Sequence, residues 1–127
     1  TTDREILRVL PEQVRKLGGV ATLGHTMSGN GFFGEQGRPV EGVSYGLTDV
    51  DVALAEVNGV MNIEMEASNA AAFDAATHPS TVPDRFGCIC VPAAFRPQNR
   101  WVPKKSVLEG VDRAARAAIL TFAELAH

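Results

Sequence analysis

The stretch VMNIEMEASNAAAFDAA, residues 60–76, carries the information that decides the fold. Val60 to Met65 is apolar apart from Asn62 and Glu64, a short run of the kind that forms a largely buried strand. Ala67 to Ala76 is dominated by alanine, the residue with the strongest intrinsic preference for helix. The stretch therefore predicts a strand that passes directly into a helix. Just upstream, Leu47 to Val57 starts with Thr48-Asp49, places apolar residues at Val50, Val52, Leu54 and Val57, and stops at Asn58-Gly59. A cap residue before the apolar positions and an Asn-Gly after them predict another helix.

The same signals extend outward in both directions. Ile6, Leu7, Leu10, Val14 and Leu17 recur at spacings of three and four between Asp3 and Gly18-Gly19, predicting a surface helix over Thr2 to Leu17 that kinks or restarts at Pro11. Val20 to Leu23 predicts a short strand feeding a Gly-rich loop from Gly24 to Gly42. Beyond the alanine run, Thr77 to Asp84 is rich in breakers, Phe86 to Val91 predicts a fully buried strand ended by Pro92, and a polar loop holds Arg96, Pro97, Arg100 and Pro103. Ser106 to Leu125 predicts a long amphipathic helix with Val107, Val111, Ala115, Ala118, Leu120, Phe122 and Leu125 on its apolar side. Strands alternating with helices predict an α/β sandwich with the sheet covered on both faces and function at the loops leaving strand ends.

Composition narrows the function classes. With 127 residues, 45% hydrophobic and 21% charged, the chain is sized and balanced as one globular domain or part of one. Twelve Lys and Arg against fifteen Asp and Glu give a net charge of −3 with no basic block, which argues against a nucleic-acid polymer as ligand. No charged-then-apolar leader opens the chain and no apolar run approaches the ~20 residues of a membrane span, so a cytoplasmic location is expected. Cys88 and Cys90, two apart on an expected strand, should share a face as buried reduced thiols poorly placed to bridge. His25, His78 and His127 have no metal-ligand spacing, and Ser28 and Ser68 lack the G-x-S-x-G turn of a nucleophile, so neither a metal nor covalent catalysis is expected.

Two clusters carry chemistry. Gly29, Gly31 and Gly34 match the spacing of a dinucleotide-binding turn, but Glu35-Gln36-Gly37-Arg38-Pro39 is no helix start, so that motif is set aside. Phe32, Gln36 and Arg38 instead put a flat apolar surface, an amide and a guanidinium on one short loop. The uracil edge presents acceptor, donor, acceptor, which a Gln amide and an Arg can read between them while an aromatic ring lies against the base. A solvated Gly-rich loop with one core phenylalanine is the alternative. In the second cluster, Glu64 and Glu66 fall at i and i+2 of the expected strand extension and should share a face. The two oxygens of a carboxylate match the paired hydroxyls of ribose. The alternative is a pair of acids capping the next helix.

Phe32-Phe33-Gly34-Glu35-Gln36-Gly37-Arg38 resembles the F-Y-x-G-Q-x-R loop of uridine phosphorylases, and Asn62-Ile63-Glu64-Met65-Glu66-Ala67-Ser68 resembles their N-x-E-M-E-[SA]-S segment. The resemblance covers nearly the whole chain in element order. It implies a three-layer α/β/α sandwich of the nucleoside phosphorylase type, present here as the C-terminal, base- and ribose-binding portion over residues 1–127. By that resemblance Gln36 and Arg38 read uracil, Phe32 packs near it, Met65 and Glu66 hold ribose with Glu64 beside the sugar, and Arg96 supports the base-reading loop. Purine-cleaving relatives carry an acid after the penultimate strand. Cys90-Val91-Pro92-Ala93-Ala94-Phe95-Arg96 has none, which favours a pyrimidine nucleoside, although Pro92 and Phe95 depart from the family pattern. The implied reaction is phosphorolysis of uridine with phosphate as co-substrate and no metal or organic cofactor. Its phosphate-binding motifs lie in an N-terminal portion outside this chain, so a companion segment or chain and at least a dimer are implied. A purine nucleoside phosphorylase or nucleosidase, and a non-catalytic homologue or subunit, are the competing readings.

Overall fold

The computed structural model describes residues 3–29, 31, 36, 41–42, 46–77, 86–95 and 100–126. In chain order these form α1 (Arg4–Lys16), β1 (His25–Ser28), α2 (Asp49–Val57), β2 (Val60–Glu64), α3 (Ala67–Thr77), β3 (Ala94–Phe95), β4 (Arg100–Trp101) and α4 (Lys104–Leu125). The architecture is mixed helix and sheet, broadly α/β. Among the described residues the sheets are β1 with β2 and β3 with β4, two strands each. One broad sheet with helices on both faces is not what the described residues form. The chain divides into two compact units, residues 24–73 and the remainder, with the boundary inside α3.

In the larger unit, α1 packs on α4. The helix α1 begins where Asp3 Oδ1 accepts the N–H groups of Glu5 at 2.7 Å and Ile6 at 3.3 Å. It continues unbroken through Pro11 and closes at Leu17, where Gly18 takes φ +75°, a left-handed conformation that a Cβ would disfavour. Its buried side chains are Ile6, Val9, Pro11, Gln13 and Val14. Facing them, α4 buries Ala117 and Thr121, and the Thr121 hydroxyl donates to the Ala117 carbonyl at 2.8 Å. Small residues at these two positions let the helices approach closely. At the ends of the interface Gln13 Nε2 donates to Glu124 Oε2 at 2.6 Å, and Arg113 Nε donates to the Leu17 carbonyl at 3.2 Å, satisfying an open helix end. Replacing Asp3 by alanine is expected to destabilise this unit by about 1 kcal/mol, read as a lower urea midpoint, because two N–H groups lose their acceptor.

The smaller unit is a βαβ arrangement. Residues of β1 and β2 run parallel with His25 opposite Val60, Thr26 opposite Asn62, Met27 opposite Ile63 and Ser28 opposite Glu64, with an irregularity after His25. The connection between them contains α2. That helix opens with a reciprocal capping box: Thr48 Oγ1 accepts the Asp51 N–H at 3.2 Å, and Asp51 Oδ2 accepts the Thr48 N–H at 2.8 Å. Parallel strands can be joined only by such a crossover, and it brings the carboxyl ends of β1 and β2 side by side.

Several sequence expectations change. The first strand lies at His25–Ser28 rather than Val20 to Leu23, because pairing with β2 sets the start of a strand and Val20, 94% exposed, has no apolar surface to lie on. Phe86 to Val91 joins no ladder among the described residues. Packing holds it instead: Gly87 lies against Ile6 so closely that a Cβ would collide, and Val91 fills the space over Gly110. The polar loop after Pro92 contains the antiparallel pair β3–β4, with the Arg100 guanidinium 4.9 Å from the centre of the Phe95 ring. Most informative is α4. Its buried residues are the small Ala117 and Thr121, in a row with half-buried Gly110 and Ala114; of the residues expected to face the core, Val107, Ala118 and Leu125 are half-buried, whereas Val111, Ala115, Leu120 and Phe122 are exposed. The close approach of α1 selects small side chains over large ones. The cysteines also depart from expectation, with Cys88 exposed and Cys90 half-buried.

Candidate functional site

The site is built where β1 and β2 end. Ser28 and Glu64 are the last residues of their strands and stand opposite one another in the register. The Ser28 hydroxyl donates to Glu64 Oε1. Glu64 Oε2 accepts two backbone N–H groups across the bend that follows, from Glu66 and from Ala67, each at 2.6 Å. Ser68 N–H then donates to Ser28 Oγ at 3.0 Å. The first two N–H groups of α3, from Ala67 and Ser68, are thus taken by Glu64 and Ser28, ahead of the helical bond from Ala70 N–H to the Glu66 carbonyl.

This network settles how the two glutamates differ. The sequence places them on one strand face, but β2 ends at Glu64, and the bend through Met65 and Glu66 breaks the alternation. Glu64 is half-buried and three donors occupy its oxygens, the capping role that its position before a helix allows. Glu66 is exposed, and the bond to its carboxylate is from the neighbouring Met65 N–H at 3.2 Å. Met65, between them, is half-buried.

Partial burial works to raise the pKa of Glu64. The hydrogen bonds from the Ser28 hydroxyl and from the Ala67 and Glu66 N–H groups outweigh that effect, so the carboxyl is held below its ordinary range. The ordinary value, 4.5, applies to the unfolded chain. A group with a depressed folded pKa contributes stability that is fully present above the unfolded value and is lost as pH falls through the folded one. Glu64→Gln is therefore expected to cost about 1 kcal/mol at neutral pH. The gap from wild type should close as the pH is lowered below the folded pKa of Glu64, as read by urea unfolding across an acid series.

Of the residues singled out from sequence, Glu64, Met65 and Glu66 are consecutive at this strand end. Gln36 is buried, 6% exposed. Phe32, Arg38 and Arg96 lie outside the described residues. Ser28 is not marked by the sequence, where the missing G-x-S-x-G turn speaks only against a nucleophile. Its partner becomes visible only through the parallel register that sets it against Glu64. Asn62 on β2 holds an acceptor, Oδ1, that is buried and has no partner among the described residues. No helix among the described residues is long and apolar enough to cross a membrane, and no three His, Cys, Asp or Glu side chains gather there as a metal site would require. No protein-family model, no curated protein and no solved structure matches this chain.

Proposed function

We propose that this chain is the base- and ribose-holding portion of a uridine phosphorylase of the three-layer nucleoside phosphorylase type, a cytoplasmic pentosyltransferase of pyrimidine salvage. The observation that carries the reading is the pair of glutamates at the carboxyl end of parallel β2. Glu64 is used up in shaping the bend, which leaves the exposed Glu66 carboxylate beside Met65. Crevices outside the carboxyl ends of parallel strands are where α/β proteins bind ligands.

In this reading Glu66 accepts both ribose hydroxyls and Met65 lies against the sugar. Glu64 and Ser28 act as positioning residues, fixing the bend from which Glu66 projects. Gln36 and Arg38 read the uracil edge, Phe32 stacks on the ring, and Arg96 supports their loop. Phosphate forms a bond to C1′ as the C1′–N1 bond breaks, and the bonding electrons leave with uracil. The Glu66 carboxylate balances the positive charge developing on the sugar, while Arg38 and Gln36 stabilise the departing base. The first two N–H groups of α3, from Ala67 and Ser68, already have acceptors in Glu64 and Ser28. Phosphate is held by a companion N-terminal portion or chain in an assembly that is at least dimeric. The exposed apolar residues Val50, Leu54 and Val57 of α2, and separately Val111, Ile119 and Phe122 of α4, support further protein covering each helix.

The test is ultraviolet measurement of base release from uridine and from inosine, in phosphate, by this chain together with the phosphate-binding portion. Uridine should be cleaved in preference. Release from inosine alone would overturn the assignment in favour of a purine-cleaving enzyme.

A further inference from the structure

Cys88 and Cys90 are not among the residues assigned to the nucleoside. Two thiols one residue apart would stand well apart on a regular strand, but this segment joins no ladder, and the two sulfur atoms approach to 3.5 Å in a thiol–thiol hydrogen bond. Cys88 is exposed and Cys90 half-buried. The segment is tethered on both sides of the pair. Upstream, the Phe86 carbonyl accepts the Asp3 N–H at 2.8 Å and Gly87 sits against Ile6. Downstream, Val91 packs over Gly110 of α4. Between these anchors the thiols converge, and closing the remaining gap to the ~2.0 Å of a disulfide breaks no ladder hydrogen bond.

We infer that Cys88 and Cys90 form a reversible modification site that reacts with low-molecular-weight disulfides to give an intramolecular Cys88–Cys90 disulfide. The exposed Cys88, as thiolate, attacks one sulfur of the small disulfide. A protein–small-molecule S–S bond forms, and one thiolate leaves and takes up a proton. Cys90, after losing its proton, attacks the Cys88 sulfur and expels the second small thiol. The protein dithiol is oxidised by two electrons and the small disulfide is reduced to two thiols. The second step is favoured because its nucleophile is already beside its target. A ring spanning one residue is strained and this one is accessible, so the disulfide is easily reduced and the site is switchable rather than a permanent staple.

The test treats the native protein with oxidised glutathione, blocks remaining thiols with iodoacetamide, and reads intact mass. Wild type should lose two hydrogens, retain no glutathione and take up no alkylating agent, with dithiothreitol restoring both thiols. Cys90→Ser should stop at a stable single glutathione adduct on Cys88, and Cys88→Ser should react more slowly than Cys90→Ser. A stable glutathione adduct on wild type, disulfide-linked dimers, or two intact thiols after treatment would each overturn the inference. None of these outcomes bears on nucleoside cleavage.

Discussion

Glu66→Ala is expected to lower kcat/KM for uridine by about 100-fold or more in the completed enzyme while leaving the urea midpoint where it is. The Glu66 carboxylate is exposed, and the bond it accepts is from its neighbour's N–H at 3.2 Å, so the fold loses little when it goes. In the proposed complex it accepts two ribose hydroxyls. Hydrogen bonds to a charged group contribute about 1.5–3 kcal/mol each, and two at the lower figure already correspond to about two powers of ten. The loss should appear in kcat as well as KM, because the charge on the sugar is greater in the transition state than in bound uridine. Glu64→Ala provides the contrast. It removes the acceptor of the Ser28 hydroxyl and of two N–H groups, so it should lower stability, with any loss of activity following from the displaced bend. Steady-state kinetics and urea unfolding on the two variants separate these roles. Full activity in Glu66→Ala would remove that residue from the sugar.

The largest stability effect is expected at Val9. Its side chain is fully buried on α1, which packs on α4, where Ala117 and Thr121 are buried as well. Val9→Asp places a carboxyl at a fully buried apolar position, at a cost of about 3–5 kcal/mol, comparable to much of the stability of a small protein. Nor can the site relax by separating the helices, since the same interface holds the Gln13–Glu124 and Arg113–Leu17 bonds. The measurement is far-ultraviolet circular dichroism during urea titration. A native-like midpoint in Val9→Asp would show that α1 does not depend on α4.

What was legible in the sequence follows from which forces are local. Capping and propensity are local, so α2 and α3 appear where Thr48, Asn58-Gly59 and the alanine run put them, and α4 is extended by only two residues at its start. Strand pairing is not local. Val20 to Leu23 and His25 to Ser28 offer similar short segments, and only β2 chooses between them. The apolar face of α4 misleads for a related reason. Periodicity marks the large residues Val111, Leu120 and Phe122, but the partner helix needs small ones, and no single-helix pattern contains that requirement. At the candidate site the glutamates could be picked out from their setting in an apolar run. Their division of labour could not, because it depends on where β2 stops and on Ser28, thirty-six positions away in sequence, arriving opposite Glu64.

The central claim, that this chain holds a nucleoside for phosphorolysis, is tested most directly by following uracil release from uridine by the completed protein with and without inorganic phosphate. Release should require phosphate and yield ribose 1-phosphate in equal amount to uracil. Uracil released at the same rate without phosphate, with free ribose as the sugar product, would contradict it.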